Sequence, residues 1–152
     1  ATEPEATAEE VAERLLEMAV AMRKQSGPDC LISGGEPTVH LVPQAERGLG
    51  GRNQQLVLSA LARLEDWQGL ALLSGGTDGE DGPTDAAGAV VNQQVAQRAQ
   101  ELGLDCQDYL QRNDAYHFFE PLGGLLKTGP THTNVCDVRV ITVSRVNDGR
   151  LT

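Results

Sequence analysis

The segment that most constrains the fold of this chain is Ser74–Gly88, which carries five glycines and four carboxylates directly after the apolar run Leu70–Leu73. An apolar run of this length is typical of a strand that is buried on both faces. Glycine loses more backbone freedom on folding than any other residue, and neighbouring carboxylates repel one another unless a cation or a hydrogen-bond donor lies among them. Such a loop is costly to order, which favours a ligand site. The simpler alternative is a solvated surface loop whose glycines and proline mark turns.

Composition limits the classes of partner. The 152 residues are enough for one domain with a proper core. A net charge of −10 and an aromatic content of 3% argue against nucleic acid, because phosphate backbones attract cations and single strands need stacking platforms. No apolar run approaches the ~18 residues of a membrane span, so we expect no membrane partner. The odd number and wide spacing of the three cysteines fit neither a disulfide framework nor a zinc site, which predicts a reducing, cytoplasmic compartment.

Hydrophobic periodicity divides the chain into an N-terminal region, 1–29, and an α/β region, 30–152, within a single domain overall. The N-terminal region has a polar tail and an amphipathic helix, which begins at a Thr7–Glu10 capping box and is expected to pack on the domain. Short apolar runs and 3.6-residue periodicity predict the other elements. The predicted strands are Cys30–Ser33, Thr38–Val42, Gly69–Leu73, Ala89–Val91 and Asp137–Val143. The predicted helices are Asn53–Leu64, Asn92–Leu102, Cys106–Arg112 and Ala115–Leu122.

Short buried strands that alternate with amphipathic helices predict a three-layer α/β/α domain around a mostly parallel or mixed central sheet. In open sheets of this class, ligands bind outside the carboxyl ends of the strands. Ser33–Glu36 and Ser74–Gly88 would be neighbours at that edge if their strands run parallel. Two further glycine-rich polar segments are Gly48–Asn53 and Thr128–Asn134. We therefore expect four loops to form one cleft.

The sequence lacks the familiar phosphate, calcium and hydrolase motifs. Gly48–Asn53 does not have the spacing of a dinucleotide fingerprint, and Gly124–Thr128 does not have that of a P-loop. Asp78–Pro83 begins like a calcium loop, but proline stands where the sharp turn needs glycine. There is no serine in a nucleophile elbow, and the three histidines lie far apart in the chain.

Arg52 is a cation of interest, because it follows Gly50 and Gly51 at the start of a predicted helix. Its guanidinium can bind a carboxylate or phosphate through two parallel hydrogen bonds, while the helix N-terminus adds backbone donors. The alternative is a surface arginine paired with Glu46 or Asp66. Carboxylates opposite a cation, around glycine-rich turns, suit magnesium-bound phosphate.

Five motifs together resemble the C-terminal MOFRL domain of the class II glycerate kinases, the glycerate 2-kinases. Their order and composition are specific to that family, and the resemblance covers the chain from Cys30 to Val143. The motifs are Ser33–Glu36, Gly50–Gln54, Gly76–Ala89, Asn113–Phe119 and Thr128–Val135. The resemblance implies an enzyme that transfers the γ-phosphoryl group of ATP to glycerate with Mg²⁺, in a cleft between an N-terminal domain and this one. The chain would then form one wall of the cleft, and would be nearly inactive without the missing N-terminal kinase domain.

The resemblance also implies roles for individual residues. Arg52 would neutralise the substrate carboxylate or the transferred phosphoryl group, with Asp78 and Asp85 as further catalytic residues. Asp78, Asp81 and Asp85 would bind magnesium or orient the acceptor hydroxyl. The other implied substrate-binding and phosphate-binding residues are Ser33, Gly34, Gly35, Glu36, Asn53, Gly75, Gly76, Thr77, Thr131, Thr133 and Asn134.

Two other functions stay open at this point. The chain would be a binding or regulatory module that derives from the kinase domain and has no chemistry of its own, or a cation-binding fold that does not bind nucleotide. For a full-length kinase, a mitochondrial location stands beside the cytoplasmic one.

Overall fold

The first helix begins where its capping residues predict. The computed structural model describes residues 6–145, and helix α1 spans Ala8–Lys24. The backbone N–H of Thr7 donates to Glu10 Oε2 at 2.8 Å, and the Glu10 N–H donates to Thr7 Oγ1 at 3.2 Å, so the capping box is confirmed. These two bonds satisfy donors that have no partner inside the helix.

One five-stranded sheet organises the domain. Its strands are β1 (Cys30–Gly35), β2 (Leu70–Gly76), β3 (Gly88–Asn92), β4 (Leu125–Leu126) and β5 (Asp137–Val143). The order is β1-β5-β2-β3-β4, and each neighbouring pair is antiparallel. The α/β class is confirmed. Of the two alternatives for the sheet, mostly parallel or mixed, the mostly parallel one is wrong. The reason is that β5, from the far end of the described chain, lies between β1 and β2 and runs against both.

The position of β5 brings two loops to the same edge of the sheet. Since β1 and β2 are both antiparallel to β5, they run in the same direction as each other. Their carboxyl ends therefore meet at one edge, where β5 begins. Ser33–Glu36 and Ser74–Gly88 extend from this edge, as the sequence predicted, although the strand between them is antiparallel.

The remaining helices match the predicted ones to within a few residues. They are α2 (Arg52–Arg63), α3 (Gln93–Glu101), α4 (Cys106–Gln111) and α5 (Ala115–Phe119), which a short 3₁₀ helix, Glu120–Leu122, continues. No helix of residues 6–145 is both long enough and apolar enough to cross a membrane.

The predicted strand Thr38–Val42 is wrong. Thr38 forms a single bridge with Thr7, and the backbone N–H of Val42 donates to the Asn113 side chain at 2.9 Å rather than to another strand. The segment is instead part of a long irregular loop. Strand β4 was not predicted, because two residues are too few for a periodic signal.

The sheet has helices on one face. Leu72, Ile141 and Val91 point into the core with the helices and are each at most 2% exposed. On the opposite face, Ile32 is 68% exposed and Leu73 is partly exposed. Within residues 6–145 the domain thus has two layers, and the expectation of three layers is wrong. An antiparallel sheet can leave one face open, because its strands need no helical crossovers on both sides.

We expect Leu72→Ala to lower the free energy of unfolding by about 2–5 kcal/mol, because it leaves a cavity in the core. The matched change Leu73→Ala, one residue along the same strand but on the open face, should cost about 1 kcal/mol or less. Denaturant unfolding of the two variants measures the difference. Equal losses would contradict the two-layer arrangement.

Candidate functional site

Two Ser-Gly-Gly sequences flank the start of β5 in exact register. Gly35 and Gly76 both pair with Asp137, and Ser33 and Ser74 both pair with Arg139, two residues further along β5. The first residue of β5 therefore has glycine on each side of it in the sheet. A glycine in a strand often marks a place where another group approaches closely. Here the Arg139 guanidinium approaches Gly35, the Glu80 carbonyl approaches Gly76, and Asp137 between them binds Arg52.

Arg52 is held at this edge by two carboxylates. Its Nε donates to Asp137 Oδ2 at 2.6 Å and its Nη2 donates to Asp137 Oδ1 at 2.9 Å, a bidentate pair. Nη2 also lies 3.4 Å from Glu36 Oε1. The hydrogen bond to Asp137 raises the pKa of Arg52 further above its already high ordinary value. The alternative pairing with Glu46 or Asp66 is not what the structure has.

One arm of the Arg52 guanidinium remains available. Nη1 makes no hydrogen bond to any residue in the range 6–145, and 40% of the side chain is exposed. The carboxylate of Asp137, in contrast, is almost fully buried. The pair thus exposes Arg52 Nη1 in a fixed orientation, while the Asp137 carboxylate that balances its charge is buried.

Asp137 is the site residue that sequence reasoning missed. It was placed only as the first residue of a β-branched strand. A signal was present, because an aspartate that opens a buried apolar strand needs a partner. The identity of that partner depends on a contact between residues that are 85 positions apart.

Asp81 caps the helix that carries Arg52. Its Oδ1 accepts from the Asn53 backbone N–H at 3.0 Å and its Oδ2 accepts from the Gln54 backbone N–H at 2.9 Å, while Asn53 Nδ2 donates to Oδ1 at 3.1 Å. Burial raises the pKa of Asp81, and the hydrogen bonds from Asn53 and Gln54 oppose that rise. The backbone donors at the start of α2, which were expected to serve a ligand, thus bind this carboxylate.

The cap requires close contact between the acidic loop and α2. A Cβ on Gly51 would lie 2.3 Å from Cγ of Asp81, so only glycine fits there. Asn53 extends the contact inward, because its Oδ1 accepts from Ser74 Oγ at 2.7 Å. Asn53 is fully buried, which makes it a connector between β2 and the acidic loop rather than an open ligand group.

Asp85 lies on the surface and binds other partners. It accepts from Tyr116 Oη at 2.8 Å and from Lys127 Nζ at 3.1 Å, and Lys127 also donates to Tyr116 Oη at 3.1 Å. The hydrogen bond from Tyr116, followed by that from Lys127, lowers the pKa of Asp85. These contacts tie the end of the acidic loop to α5 and to the residue after β4.

Asp78 belongs to a separate group of loop contacts. It accepts from the Glu80 backbone N–H at 3.0 Å and from Asn134 Nδ2 at 3.4 Å. The Thr131 backbone N–H donates to the Asp78 carbonyl at 3.0 Å, and the Thr131 hydroxyl donates to the Thr77 carbonyl. The Thr131 hydroxyl also lies 3.2 Å from the Thr133 carbonyl. The bonds of Thr131 and Asn134 to Thr77 and Asp78 join the acidic loop to Thr128–Asn134.

The three aspartates do not converge on a metal position. No group of three His, Cys, Asp or Glu side chains in the described part of the chain is placed to hold a metal ion. Asp81 binds the start of α2 through both oxygens, and Asp85 binds Tyr116 and Lys127. The arrangement does not fit a magnesium site made of these three carboxylates.

A cleft of about 490 Å³ opens beside Arg52. One wall is the irregular segment that follows β1, and Asn113 and Asp114 hold this segment in place. Asn113 Oδ1 accepts from the Val42 N–H at 2.9 Å, and Asp114 Oδ1 accepts from the Leu49 N–H at 2.8 Å. The cleft combines apolar walls with charged groups, and its lining includes Glu36, Val39, Arg47, Gly51, Arg52 and Pro83.

Replacing Asp81 tests its role as a cap. We expect Asp81→Ala to lower the free energy of unfolding by about 2–3 kcal/mol in metal-free buffer, since two backbone N–H groups at the start of α2 lose a charged acceptor. The exposed neighbour Glu80 is the control, and Glu80→Ala should change stability by less than about 0.5 kcal/mol. If Asp81→Ala were neutral or stabilising without metal, the cap would not be its main role.

The chain is similar in sequence to proteins that are named glycerate kinases. The chain is 50% identical over 111 residues to D-glycerate 2-kinase of Thermotoga maritima, and the match covers 73% of this chain and 26% of that protein. It is 48% identical over 122 residues to human glycerate kinase, covering 76% of this chain and 23% of that protein. The chain therefore spans about a quarter of the length of these relatives.

The chain is also similar in structure to a glycerate kinase. The crystal structure of glycerate kinase from Thermotoga maritima superposes with a TM-score of 0.80 at 41% identity, covering 94% of this chain and 35% of that one. The model of the MOFRL family matches residues 29–137. This match includes the Ser-Gly-Gly sequences, Arg52, the acidic loop and Asp137. The chain belongs to the MOFRL family.

Proposed function

We propose that this chain is the C-terminal domain of an ATP-dependent glycerate kinase and forms one wall of an interdomain active site. Family membership and relatives named glycerate kinase support the reaction class. The observation that carries the proposal is the position of Arg52, which lines the cleft. Asp137 binds its Nε and Nη2, and Nη1 has no hydrogen-bond partner among residues 6–145.

Arg52 suits both anions of the proposed reaction. Glycerate has a carboxylate, and the γ-phosphoryl group of ATP spreads negative charge over its oxygens during transfer. A guanidinium that is already fixed by two hydrogen bonds needs no reorganisation when that charge develops. Asp137 therefore orients Arg52, and Nη1 binds the substrate carboxylate or the transferred group.

In the proposal, the two loops that meet at Asp78 complete this half of the active site. Thr77, Thr131, Thr133 and Asn134 bring hydroxyl and amide groups close to Asp78, and groups of this kind bind phosphate oxygens. Four glycines at the ends of β1 and β2 let the backbone of the two loops approach a bound anion without obstruction by side chains. They are Gly34, Gly35, Gly75 and Gly76. Asp85 anchors the loop through Tyr116 and Lys127, and these contacts favour anchoring over catalysis.

ATP enters the proposal as the co-substrate that glycerate kinases use. Magnesium supplies charge neutralisation to bound phosphates and usually needs only one or two protein carboxylates. The contacts of Asp81 and Asp85 leave no three-carboxylate site for it in residues 6–145, so we assign no step to a metal held by this chain.

Replacing Arg52 tests the proposal in the full-length protein. We expect Arg52→Ala to lower kcat/KM for glycerate by more than about tenfold, the scale of losing one charge-stabilising contact. Arg98, on the outer face of α3, is the matched control, and Arg98→Ala should leave the kinetics unchanged. A coupled assay of ADP release measures both. Ordinary turnover by Arg52→Ala would defeat the assigned role.

The 152-residue chain should have less than about 1% of the full-length turnover, because half of the cleft cannot orient both substrates. The same ADP-release assay measures this, and ordinary turnover by the chain alone would refute the interdomain site. Amide-shift mapping with ATP, Mg²⁺ and glycerate added separately extends the test. Shifts around Arg52 and the acidic loop support a half-site, whereas a stable partner complex without such shifts supports a binding module.

A further inference from the structure

A second arginine, Arg139, is buried next to the Arg52–Asp137 pair. Arg139 follows Asp137 by two residues on the same face of β5 and is 7% exposed. Its Nη1 donates to the Gly34 carbonyl at 2.9 Å, and its buried Nε has no hydrogen-bond partner in the described chain. It forms no direct ion pair with a carboxylate of residues 6–145. A buried arginine without a direct counter-ion is costly, so its surroundings must offset the charge.

The two Ser-Gly-Gly sequences make room for this arginine. Ser33 and Ser74 flank Arg139 in the sheet, and a Cβ on Gly35 would lie only 3.2 Å from Arg139 Nη2. Gly35 also has a φ of +130°, which side chains rarely adopt. The guanidinium thus fills the space under the end of β1 that these small residues leave.

The charges around Arg139 are coupled to those of the site. Burial lowers the pKa of Arg139 and the nearby Arg52 lowers it as well, whereas Asp137 raises it. Arg52, Arg139, Asp137 and Glu36 together carry two positive and two negative charges. Asp137 therefore has a cation on the cleft side and another on the buried side.

We propose that Arg139 is a positioning residue for Arg52. It compensates the carboxylate of Asp137 from the buried side, and through the Gly34 carbonyl it holds the segment that ends at Glu36. Arg139 thus acts on Asp137 through charge and on Glu36 through the backbone of β1, without a direct bond to either carboxylate. This proposal rests on the proposed role of Arg52 in binding the anionic substrate.

The physical consequence concerns the charge that Arg52 offers to a ligand. If Arg139 is absent, Arg52 alone must balance Asp137 and Glu36, so the net charge at the cleft becomes more negative by one unit. An anionic substrate is then bound less well, although Arg52 itself is still present.

A double-mutant cycle in the full-length protein tests this coupling. The four proteins are the wild type, Arg52→Gln, Arg139→Gln and the double variant, each measured for kcat, KM for glycerate and melting temperature. We expect Arg139→Gln to lower kcat/KM about tenfold. The loss should lie in the same constant, kcat or KM, as the loss in Arg52→Gln. In the Arg52→Gln background it should lower kcat/KM by less than about twofold, because the residue it acts through is gone.

A conservative variant separates charge from packing. Arg139→Lys keeps the positive charge and should retain kcat/KM to within about threefold of the wild type. If Arg139→Gln does not fold, the cycle is run with Arg139→Lys and Arg139→Met, of which only the uncharged variant should lose activity. A folded Arg139→Lys variant that loses kcat/KM tenfold overturns the charge role.

The outcomes distinguish this inference from the proposed function. Equal fold-losses from Arg139→Gln in both backgrounds, or a lowered melting temperature with unchanged kinetics, overturn the positioning role and leave the function of Arg52 intact. Unchanged kinetics in Arg52→Gln overturn the proposed function, and the positioning role with it.

Discussion

The bidentate pair of Arg52 and Asp137 is the contact on which the arrangement of the site depends. It joins the first residue of α2, whose buried residues form much of the core, to the first residue of β5, which lies between β1 and β2. Because Asp137 is buried but Arg52 is 40% exposed, the pair is only partly shielded from the water and salt that weaken surface ion pairs. Burial of the carboxylate costs desolvation energy, so the pair is weak evidence for stability, but it fixes geometry. The fold thus places one guanidinium edge at the mouth of a cleft.

Hydrogen-bond donors from the same chain offset the repulsion among the carboxylates of the acidic loop. Each aspartate has its own donors: Asp81 binds the start of α2, Asp85 binds Lys127, and Asp78 binds a backbone N–H and Asn134. The sequence required a cation or a hydrogen-bond donor among these carboxylates, and the structure supplies both. The donors come from α2, from α5 with Lys127, and from the neighbouring loop, so they hold the acidic loop against all three. Beside the Asp81 cap, Gly82 and Pro83 of this loop line the cleft.

Signals that rest on adjacent residues were more reliable than those that depend on strand pairing, although the local apolar run Thr38–Val42 is not a strand. The capping box at Thr7 and the strand Asp137–Val143 agree with the structure, because both rest on neighbouring residues. The sheet order and its two layers could not be predicted, since nothing in the periodicity states that β5 lies between β1 and β2. Arg52 was identified as a cation of interest, but Asp137 was missed. The repeated Ser-Gly-Gly sequence was visible, and only the register of β5 shows that its two copies flank the same residues.

In the proposed active site, Arg52 stays bound to Asp137 and uses Nη1 to bind the anionic substrate. A crystal structure of the full-length protein with glycerate and a non-hydrolysable ATP analogue tests it most directly. We expect both Asp137 bonds to persist and Arg52 Nη1 to lie within about 3.2 Å of a carboxylate or phosphate oxygen. An Arg52 side chain that has left Asp137, or substrates bound with no oxygen near Nη1, would contradict it.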